Sequence, residues 1–521
     1  MSIAFGSGAV VGALVTAAIA NRKSEASPSP ASPPPLVTGK KNTVLFLTDC
    51  ANGLSNVHVA TTFALLQHHS SIEIHYASFA KLESELARIS ARAKVKNPAA
   101  KTVQWHELRG PGFVDAAMRV WGSATGLMTP PGVAGIDKLL RDFELIASPW
   151  TADEHWDLYC QMERLIAEID PAVVVLDPMF RPAMDVSRNL NRTRVVVSPN
   201  ALTDVLVGLQ PRGAAFWKYP ALGSGLPFPL PWKLVLKNAY LQLRLIFSVG
   251  FSSSLAAKRN FLSNRGVQDP MTLLDVQFAD VPWISMAFPE AGLPLDFVPS
   301  HVMPVGPIVL DIASAEEQSP ELATWLKRAP TVLVNLGSAV EYDEHMAREM
   351  AKALGTVLDS TDTQVLWKLK KASKHGNDVL KPLEEHIKRE RIRIVDWIDV
   401  DPVSLLHTGD ISLSVHHGGA NCYHEAILTG VPQVILPLWV DLYNFAQTAE
   451  YLGVGIWPGK ETAPRWHAET LSDGFMRALT GKSSFAMREK ASQLREAARQ
   501  YGGQLAAAEK IASMAAKGHN N

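Results

Sequence analysis

The chain has 521 residues, enough for two large domains and additional segments. Hydrophobic residues make up 47% and charged residues 19%, which excludes global disorder, collagen-like repeats and coiled coil. With 50 Lys and Arg against 51 Asp and Glu, the formal net charge is -1, so nucleic-acid binding is not favoured. Three widely spaced cysteines, Cys50, Cys160 and Cys422, indicate reduced thiols in a cytosol-facing protein.

The first residues are apolar. Residues 3–20 carry no charge, and Asn21, Arg22 and Lys23 follow at once. As a helix this segment would span about 27 Å, close to the thickness of a bilayer core. Cations on its C-terminal side predict a single-pass membrane anchor in residues 1–23, in the endoplasmic reticulum, with the catalytic domains facing the cytosol. The alternative is a frayed apolar tail. Residues 24–40, rich in Pro and Ser, predict a linker.

From residue 43 onward, short apolar runs alternate with helical stretches. Predicted strands of a first series cover residues 44–47, 72–76, 172–176 and 194–197, and a helix covers 55–68. Those of a second series cover 331–336, 364–369, 392–395, 411–415 and 433–436. Such alternation predicts an α/β protein with parallel sheets in two doubly wound domains. We place these domains at residues 41–307 and 320–480, with a C-terminal helix in 481–521 that packs across both.

Residues 226–251 combine aromatic and aliphatic side chains with spaced cations. Trp232, Tyr240 and Phe247 lie among leucines, and Lys233 and Lys237 are interspersed. This pattern fits a helix on a membrane surface or a lid over an apolar substrate. It fits equally well a core helix whose cations extend to the solvent.

The strongest chemical signal follows the predicted strand 411–415. His417, Gly418 and Gly419 come before a predicted helix that contains Asn421, Cys422 and Glu425. Glycines permit close approach of a ligand to the backbone, and a helix N-terminus offers free N–H groups and a positive dipole to a phosphate. Asp441 follows the next strand, at the edge where α/β sheets bind ligands.

The complete spacing is more specific than the glycine pair. Counted from His417, several residues fall at the intervals of the signature box of UDP-sugar-dependent glycosyltransferases: Glu425, Gly430, Pro432, Pro437 and Asp441. With Trp397 upstream, the C-terminal half resembles the family 1 glycosyltransferases. That resemblance implies the GT-B fold, two facing Rossmann-like domains with a cleft between them. It extends over residues 41–514 and is strongest between 397 and 446.

The resemblance implies a role for each matching residue. Trp397 would stack on uracil, and Glu425 would bind the ribose. The turn at Gly419 would hold the diphosphate together with four residues. These are Ser338, His417, Asn421 and Cys422. Asp441 would bind sugar hydroxyls, although Leu442 stands where the family usually has Gln. Instead of binding the donor, Trp397 could be an aromatic residue of the core, and Asp441 could cap the N-terminus of the helix that follows it.

The catalytic base departs from the family pattern. The family places a His directly after the glycine of the first βα loop, where this chain has Leu54 after Gly53. His58 lies one helical turn further on. We therefore predict His58 as the base, oriented by Asp177, with Asp49 as a second possible carboxylate partner. His75 and His106 are interpreted as strand residues.

These observations predict an enzyme that transfers a hexosyl group, glucose first among the candidates, from a UDP-sugar with inversion. The acceptor would be a hydroxyl of a lipophilic small molecule such as a sterol, a lipid or a secondary metabolite. No cofactor or metal is expected, because no ligand cluster of suitable spacing occurs. Two alternatives stay open: a non-catalytic UDP-sugar-binding or scaffold protein, and a nucleotide-sugar epimerase of the same fold.

Overall fold

The computed structural model describes residues 35–272, 275–372 and 377–520. In these residues, the N-terminal domain is built on seven strands: β1 (Lys40–Leu47), β2 (Glu73–Ser78), β3 (Gln104–Glu107), β4 (Pro171–Leu176), β5 (Arg194–Ser198), β6 (Trp283–Ser285) and β7 (Val302–Pro304). The C-terminal domain is built on six: β8 (Thr331–Val334), β9 (Gln364–Lys368), β10 (Ile392–Val395), β11 (Ile411–His416), β12 (Gln433–Ile435) and β13 (Gly455–Ile456). The predicted α/β fold with two doubly wound domains is confirmed.

Helices cover the faces of both sheets. Those of the N-terminal domain are α1 (Asn52–His68), α2 (Glu83–Lys96), α3 (Phe113–Trp121), α4 (Ile136–Ala147), α5 (Ala152–Ile169), α6 (Arg181–Asn189), α7 (Leu202–Leu206), α8 (Ala214–Trp217), α9 (Val235–Phe251) and α10 (Ser253–Ser263). The remaining helices are α11 (Ala315–Gln318), α12 (Pro320–Leu326), α13 (Glu344–Ser360), α14 (Glu384–Lys388), α15 (Pro402–His407), α16 (Ala420–Thr429), α17 (Leu442–Leu452), α18 (Ala468–Leu479), α19 (Gly481–Ala498) and α20 (Gly503–Ala515).

The strand order determines where a ligand can bind. The N-terminal sheet runs β3-β2-β1-β4-β5-β6-β7 and the C-terminal sheet runs β10-β9-β8-β11-β12-β13, with parallel pairing throughout. The order reverses between β1 and β4 in one sheet and between β8 and β11 in the other. Open parallel sheets bind ligands at this reversal, beyond the carboxyl ends of the strands. The two crevices are therefore formed by the loops after these four strands.

The chain returns to the N-terminal domain at its C-terminus, as predicted. Helix α19 packs against α16 and α18, whereas α20 packs against α1, β1 and β4. The expected single helix is wrong in one respect, because a break separates α19 from α20. Gly502 and Gly503 adopt φ values of 85° and 52° there, in the left-handed region that favours glycine.

The predicted membrane anchor, residues 1–23, lies outside the described residues. Within the part of the chain that the structure describes, none of the helices combines the length and the hydropathy that a bilayer crossing requires. The end of the predicted linker belongs to the N-terminal domain. Val37 donates to the carbonyl of Asn191 at 2.8 Å and accepts from the amide of Thr193 at 2.8 Å. Residues 37–40 are thus held against the first sheet.

Helix α9 shows both features predicted for residues 226–251. One face is buried, and its Leu241 packs with Ile136 of α4 and with Val440 of the C-terminal domain. On the other side Leu236 and Phe251 are 85% and 78% exposed, next to the exposed Trp232. The helix therefore contributes to the core and also presents an apolar surface.

Candidate active site

The turn between β11 and α16 is held by a buried histidine. The amide of Gly418 donates to Nδ1 of His416 at 3.1 Å, so Nε2 carries the proton and donates to Oε1 of Gln433 at 2.8 Å. Gly418 has a φ of 94°, and a Cβ there would lie 2.8 Å from Ile435. Gly419 occupies the N-cap of α16 without a side-chain cap. The first N–H groups of α16 are therefore available to an anion.

His417 lies between the two glycine turns that were predicted to hold a diphosphate. A Cβ on Gly419 would approach its Nε2 to 2.5 Å, and a Cβ on Gly337 would approach its Cε1 to 2.6 Å. Both positions therefore require glycine. Burial, with a smaller contribution from His416 and Lys368, lowers the pKa of His417 to about 3. The ring is neutral at physiological pH and can donate one N–H to a phosphate oxygen.

The other residues predicted to bind the UDP-sugar lie around the turn between β11 and α16. Ser338 is exposed directly after Gly337, whose amide donates to the side chain of Asn335 at 3.1 Å. Burial raises the pKa of the Cys422 thiol, which therefore stays uncharged. Burial and the nearby Asp401 raise the pKa of Glu425 to about 7. The structure brings these side chains to the reversal point of the C-terminal sheet.

Asn421 joins the two domains. Its Nδ2 donates to the backbone carbonyl of Asn52, at the start of α1, at 3.2 Å. The N-terminus of α16 thus faces the first loop of the N-terminal domain across the cleft. This arrangement places the predicted diphosphate site next to the loop that was predicted to supply the base.

Trp397 is an open platform and not a core residue. Its side chain is 52% exposed, and the Nζ atom of Lys368 lies 3.8 Å from the ring centroid. Lys368 also donates to the carbonyl of Gly337 at 3.1 Å. Sequence reasoning missed this lysine, because it ends a strand and is followed by Lys370 and Lys371, a pattern typical of a solvated strand end.

Asp441 lies at the N-cap position of α17, but its side chain makes no cap hydrogen bond. The side chain of Asp441 therefore does not cap α17, which was the alternative role. Burial raises the pKa of its carboxyl to about 6. The N-terminal domain closes over this point, where Thr129 donates to the carbonyl of Leu438 at 2.9 Å and accepts from Tyr443 at 2.6 Å.

A second carboxylate faces Asp441 from the other domain, and the sequence did not indicate it. Asp204 on α7 accepts from Nδ2 of Asn444 at 2.6 Å, while its Oδ2 is buried without a hydrogen-bond partner among the described residues. Burial and the charge of Asp441 raise the pKa of Asp204 to about 7. Asp204 and Asn444 border an interdomain pocket that is also lined by Tyr219, Leu222, Gln242 and Leu293.

The predicted hydrogen bond between His58 and Asp177 is not formed. His58 is fully buried, packs edge-on against Phe46, and has no hydrogen-bond partner among the described residues on either ring nitrogen. Burial lowers its pKa to about 3. The ring points into the core because it lies on the face of α1 that packs on the sheet, whereas Leu54 in the first turn is half-buried. The role of His58 as the base stays a prediction.

Asp177 is paired with Asp49 instead. It accepts from the amide of Asp49 at 3.4 Å and from that of Met179 at 2.8 Å. Asp49 accepts from the amides of Ala51 and Phe113 at 2.8 and 2.6 Å. Burial, and the proximity of a second carboxyl group, raise the pKa of Asp177 to about 7, and burial raises that of Asp49 to about 6. Two buried carboxyl groups thus stand at the reversal point of the N-terminal sheet.

His75 and His106 are strand residues, as interpreted from the sequence. They lie on β2 and β3, and their rings are linked by a hydrogen bond of 2.9 Å. In the described ranges, no group of three or more His, Cys, Asp or Glu side chains is arranged to hold a metal ion.

Comparisons with known proteins agree with this geometry. Residues 377–502 match the family described as erythromycin biosynthesis protein CIII-like, C-terminal domain. The sequence is 34% identical to glycosyltransferase sdnJ of Sordaria araneosa over 436 residues, 81% of this chain and 84% of that protein. It is 28% identical to UDP-glycosyltransferase 71B1 of Arabidopsis thaliana over 229 residues, 40% of this chain and 46% of that protein.

A solved structure shows the same fold. It is the complex of a UDP-glucosyltransferase from Polygonum tinctorium capable of glucosylating indoxyl, with 3,4-dichloroaniline. Its TM-score is 0.60 at 17% sequence identity, and the match covers 93% of this chain and 99% of that chain. The two facing Rossmann-like domains are therefore those of the GT-B fold.

Proposed function

Because this chain belongs to the UDP-glycosyltransferases of glycosyltransferase family 1, we propose that it transfers a hexosyl group, with glucose as the first candidate, from a UDP-sugar to a hydroxyl group of a lipophilic small molecule. The observation that carries the proposal is the placement of His417 between the glycine turns after β8 and β11, at the open N-terminus of α16. The uncharged hydrogen-bonding groups of these two glycine turns and the positive end of the α16 dipole together form a site for a diphosphate. Acceptor-dependent release of UDP from UDP-glucose tests it.

In this proposal each part of the donor has a partner. Uracil stacks on Trp397, the ribose hydroxyls bind Glu425, and the diphosphate lies between Ser338 and the N-terminus of α16. The sugar lies against Asp441, which is half-buried where the two domains close. A carboxyl group and the free N–H groups of a helix match hydroxyls and phosphates respectively.

The reaction is a single displacement with inversion. The acceptor oxygen attacks the anomeric carbon, the bond to the diphosphate oxygen breaks, and UDP leaves with the bonding electron pair. The N-terminus of α16 stabilises the charge that develops on the diphosphate. This step needs neither a metal nor a cofactor, and an unchanged rate in the presence of a chelator is the expected result.

We assign the acceptor proton to His58; Asp177 can orient the ring only once His58 leaves its buried position, because the two side chains are not hydrogen-bonded here. Burial keeps the imidazole neutral, and neither ring nitrogen has a hydrogen-bond partner among the described residues, so the nitrogen without a hydrogen is free to accept the proton. Because the ring is fully buried, the assignment requires that the N-terminal two turns of α1, which include His58, move when an acceptor binds. A proton acceptor must come within hydrogen-bond reach of the hydroxyl, although such contacts often form only in the substrate complex.

We place the acceptor at the interdomain pocket beside Asp204, whose volume of about 40 Å³ means that the two domains must open there to admit it. Tyr219, Leu222 and Leu293 supply apolar walls, and Gln242 adds an amide. A cleft with apolar walls and a few polar groups is typical of sites for small lipophilic molecules. The Polygonum tinctorium enzyme, which glucosylates indoxyl, supports glucose as the donor sugar.

We also propose that the enzyme is attached to the endoplasmic reticulum membrane through residues 3–20, with its catalytic domains in the cytosol. The exposed Trp232, Leu236 and Phe251 support this, because a bilayer interface accepts such side chains and anionic lipid attracts Lys233 and Lys237. Co-sedimentation of the full-length protein with vesicles containing anionic lipid tests the proposal. Deletion of residues 1–23 should abolish most of the binding; an unchanged bound fraction would contradict it.

A further inference from the structure

Lys368 is a buried cation without a carboxylate. It is the last residue of β9 and only 6% exposed. Within the described ranges, no Asp or Glu side chain lies within ion-pair distance of its amine. Its contacts are the carbonyl of Gly337 at 3.1 Å and the ring of Trp397 at 3.8 Å. A buried charge is stable only when it is compensated, so this amine lacks an anionic partner.

The groups around Lys368 do not supply that anion. The positive end of the α16 dipole lies nearby, and His417 is close enough for the lysine charge to lower its pKa. Cys422 keeps its proton because burial raises the pKa of its thiol. Lys370, the next lysine along the chain, is already paired with Glu341 at 3.0 Å. The local field is thus positive and suited to a ligand with negative charge.

The position of the amine indicates which part of a ligand it can reach. It lies between the Trp397 ring, where the proposed function places the base, and the Gly337 turn, where it places the diphosphate. The four-carbon stem of lysine allows the amine to turn towards either group. Only the diphosphate carries the charge that the amine lacks.

We infer that Lys368 is a further donor-binding residue, whose ammonium group pairs with the diphosphate of the UDP-sugar. This inference rests on the proposed function. It assigns part of the affinity for UDP to one charge-assisted contact that a nucleoside without phosphates does not make.

The test compares the binding of UDP and of uridine to the full-length protein by calorimetry. Lys368→Met should weaken UDP binding by about 10- to 100-fold and change uridine binding by less than about 3-fold. Lys388→Met is the matched control, because it removes an exposed lysine that is paired with Glu385 at 2.7 Å and lies outside the proposed donor site; it should change both affinities by less than about 3-fold.

Three outcomes would overturn the inference. UDP binding could be unchanged in Lys368→Met, or UDP and uridine could lose affinity equally, which would make Lys368 only a support for Trp397. A loss of UDP affinity in Lys388→Met as large as that in Lys368→Met would attribute the effect to general charge. If the wild-type protein bound no UDP at all, the proposed function itself would fail.

A measurement on the wild-type protein keeps the inference testable if the variant does not fold. Burial lowers the pKa of Lys368 to about 8, so the free amine loses its proton as the pH rises from 7 to 9. Cys422 and His417, which face it, do not titrate in this window. Affinity for UDP should therefore fall relative to that for uridine between pH 7 and pH 9, and a constant ratio would contradict the inference.

Discussion

The side-chain amide of Asn444 donates a hydrogen bond of 2.6 Å to the carboxyl group of Asp204, across the boundary between the two domains. The second oxygen of Asp204 is buried without a partner among the described residues, and Asp441 lies close enough to raise the pKa of Asp204. Two carboxyl groups from different domains thus face each other where the proposed sugar would bind. Sugar hydroxyls, which donate hydrogen bonds, would satisfy both.

Asp441→Asn should therefore affect the sugar and spare the nucleotide. An amide accepts at only one atom, so we expect kcat/KM for UDP-glucose to fall by about 10- to 100-fold, while the inhibition constant of UDP changes by less than about 3-fold. Asp473→Asn, at an exposed surface pair with Arg477, is the control. If the affinity for UDP fell as much as kcat/KM, Asp441 would contact the nucleotide and not the sugar.

Gly419→Ala should displace His417. The added Cβ would lie 2.5 Å from Nε2 of the ring, although the φ of -65° is itself suited to alanine. We expect at least a 10-fold loss of UDP affinity in titration, with little change in the unfolding temperature. Gly208→Ala, where a Cβ meets nothing within 4 Å, should bind UDP as the wild type does. Normal UDP binding by Gly419→Ala would contradict the assignment of His417.

His58→Gln tests the proton acceptor while preserving most of the side-chain volume. If His58 is the base, kcat should fall by about 10² to 10⁴ while UDP affinity is retained. Because the residue is fully buried, the unfolding temperature must be measured beside the rate. Near-normal turnover in a folded variant would remove His58 from the mechanism, and Asp49→Asn and Asp177→Asn would then be compared.

Stability should decrease as the pH rises from 6.5 to 8. The folded pKa of the fully buried Asp177 is about 7, above the ordinary value of 3.8, so the folded state binds more protons than the unfolded state in this window. Its contribution to the change in the free energy of unfolding is about 1 kcal/mol. Buried histidines whose pKa values are lowered act in the opposite direction, because the unfolded state binds their protons as the pH falls through 6.5. Urea unfolding at pH 6.5 and pH 8 measures the change in the free energy of unfolding. In Asp177→Asn this free energy should depend less on pH. Equal or greater stability of the wild-type protein at pH 8 would contradict the prediction.

The sequence predicted strands whose apolar residues form a continuous run, as in β4, or alternate with polar residues, as in β11. Strands such as β4 and β11 are buried on both faces, and this requirement is visible without any structure. The missed strands lack that signal. Residues Gln104–Glu107 of β3 are polar and partly exposed at the sheet edge, and Gly455–Ile456 of β13 are too few to form a pattern.

The donor site was predictable where its residues are close together in the sequence. His417 through Asp441 lie within one βαβ unit, so their spacing is itself the signal. Lys368 and Asp204 gain their roles from partners far along the chain, Trp397 and Asn444, and no spacing rule connects them. The sequence did not show that His58 is buried in the core, because helical periodicity does not reveal which face of α1 packs on the sheet.

The most direct test of the account is the release of UDP by the purified full-length protein from UDP-glucose, measured with and without lipophilic alcohols. We predict release that depends on an alcohol, together with a new glycoside of inverted anomeric configuration. Tight binding of UDP without release, across glucose and other hexose donors and the whole set of alcohols, would contradict it.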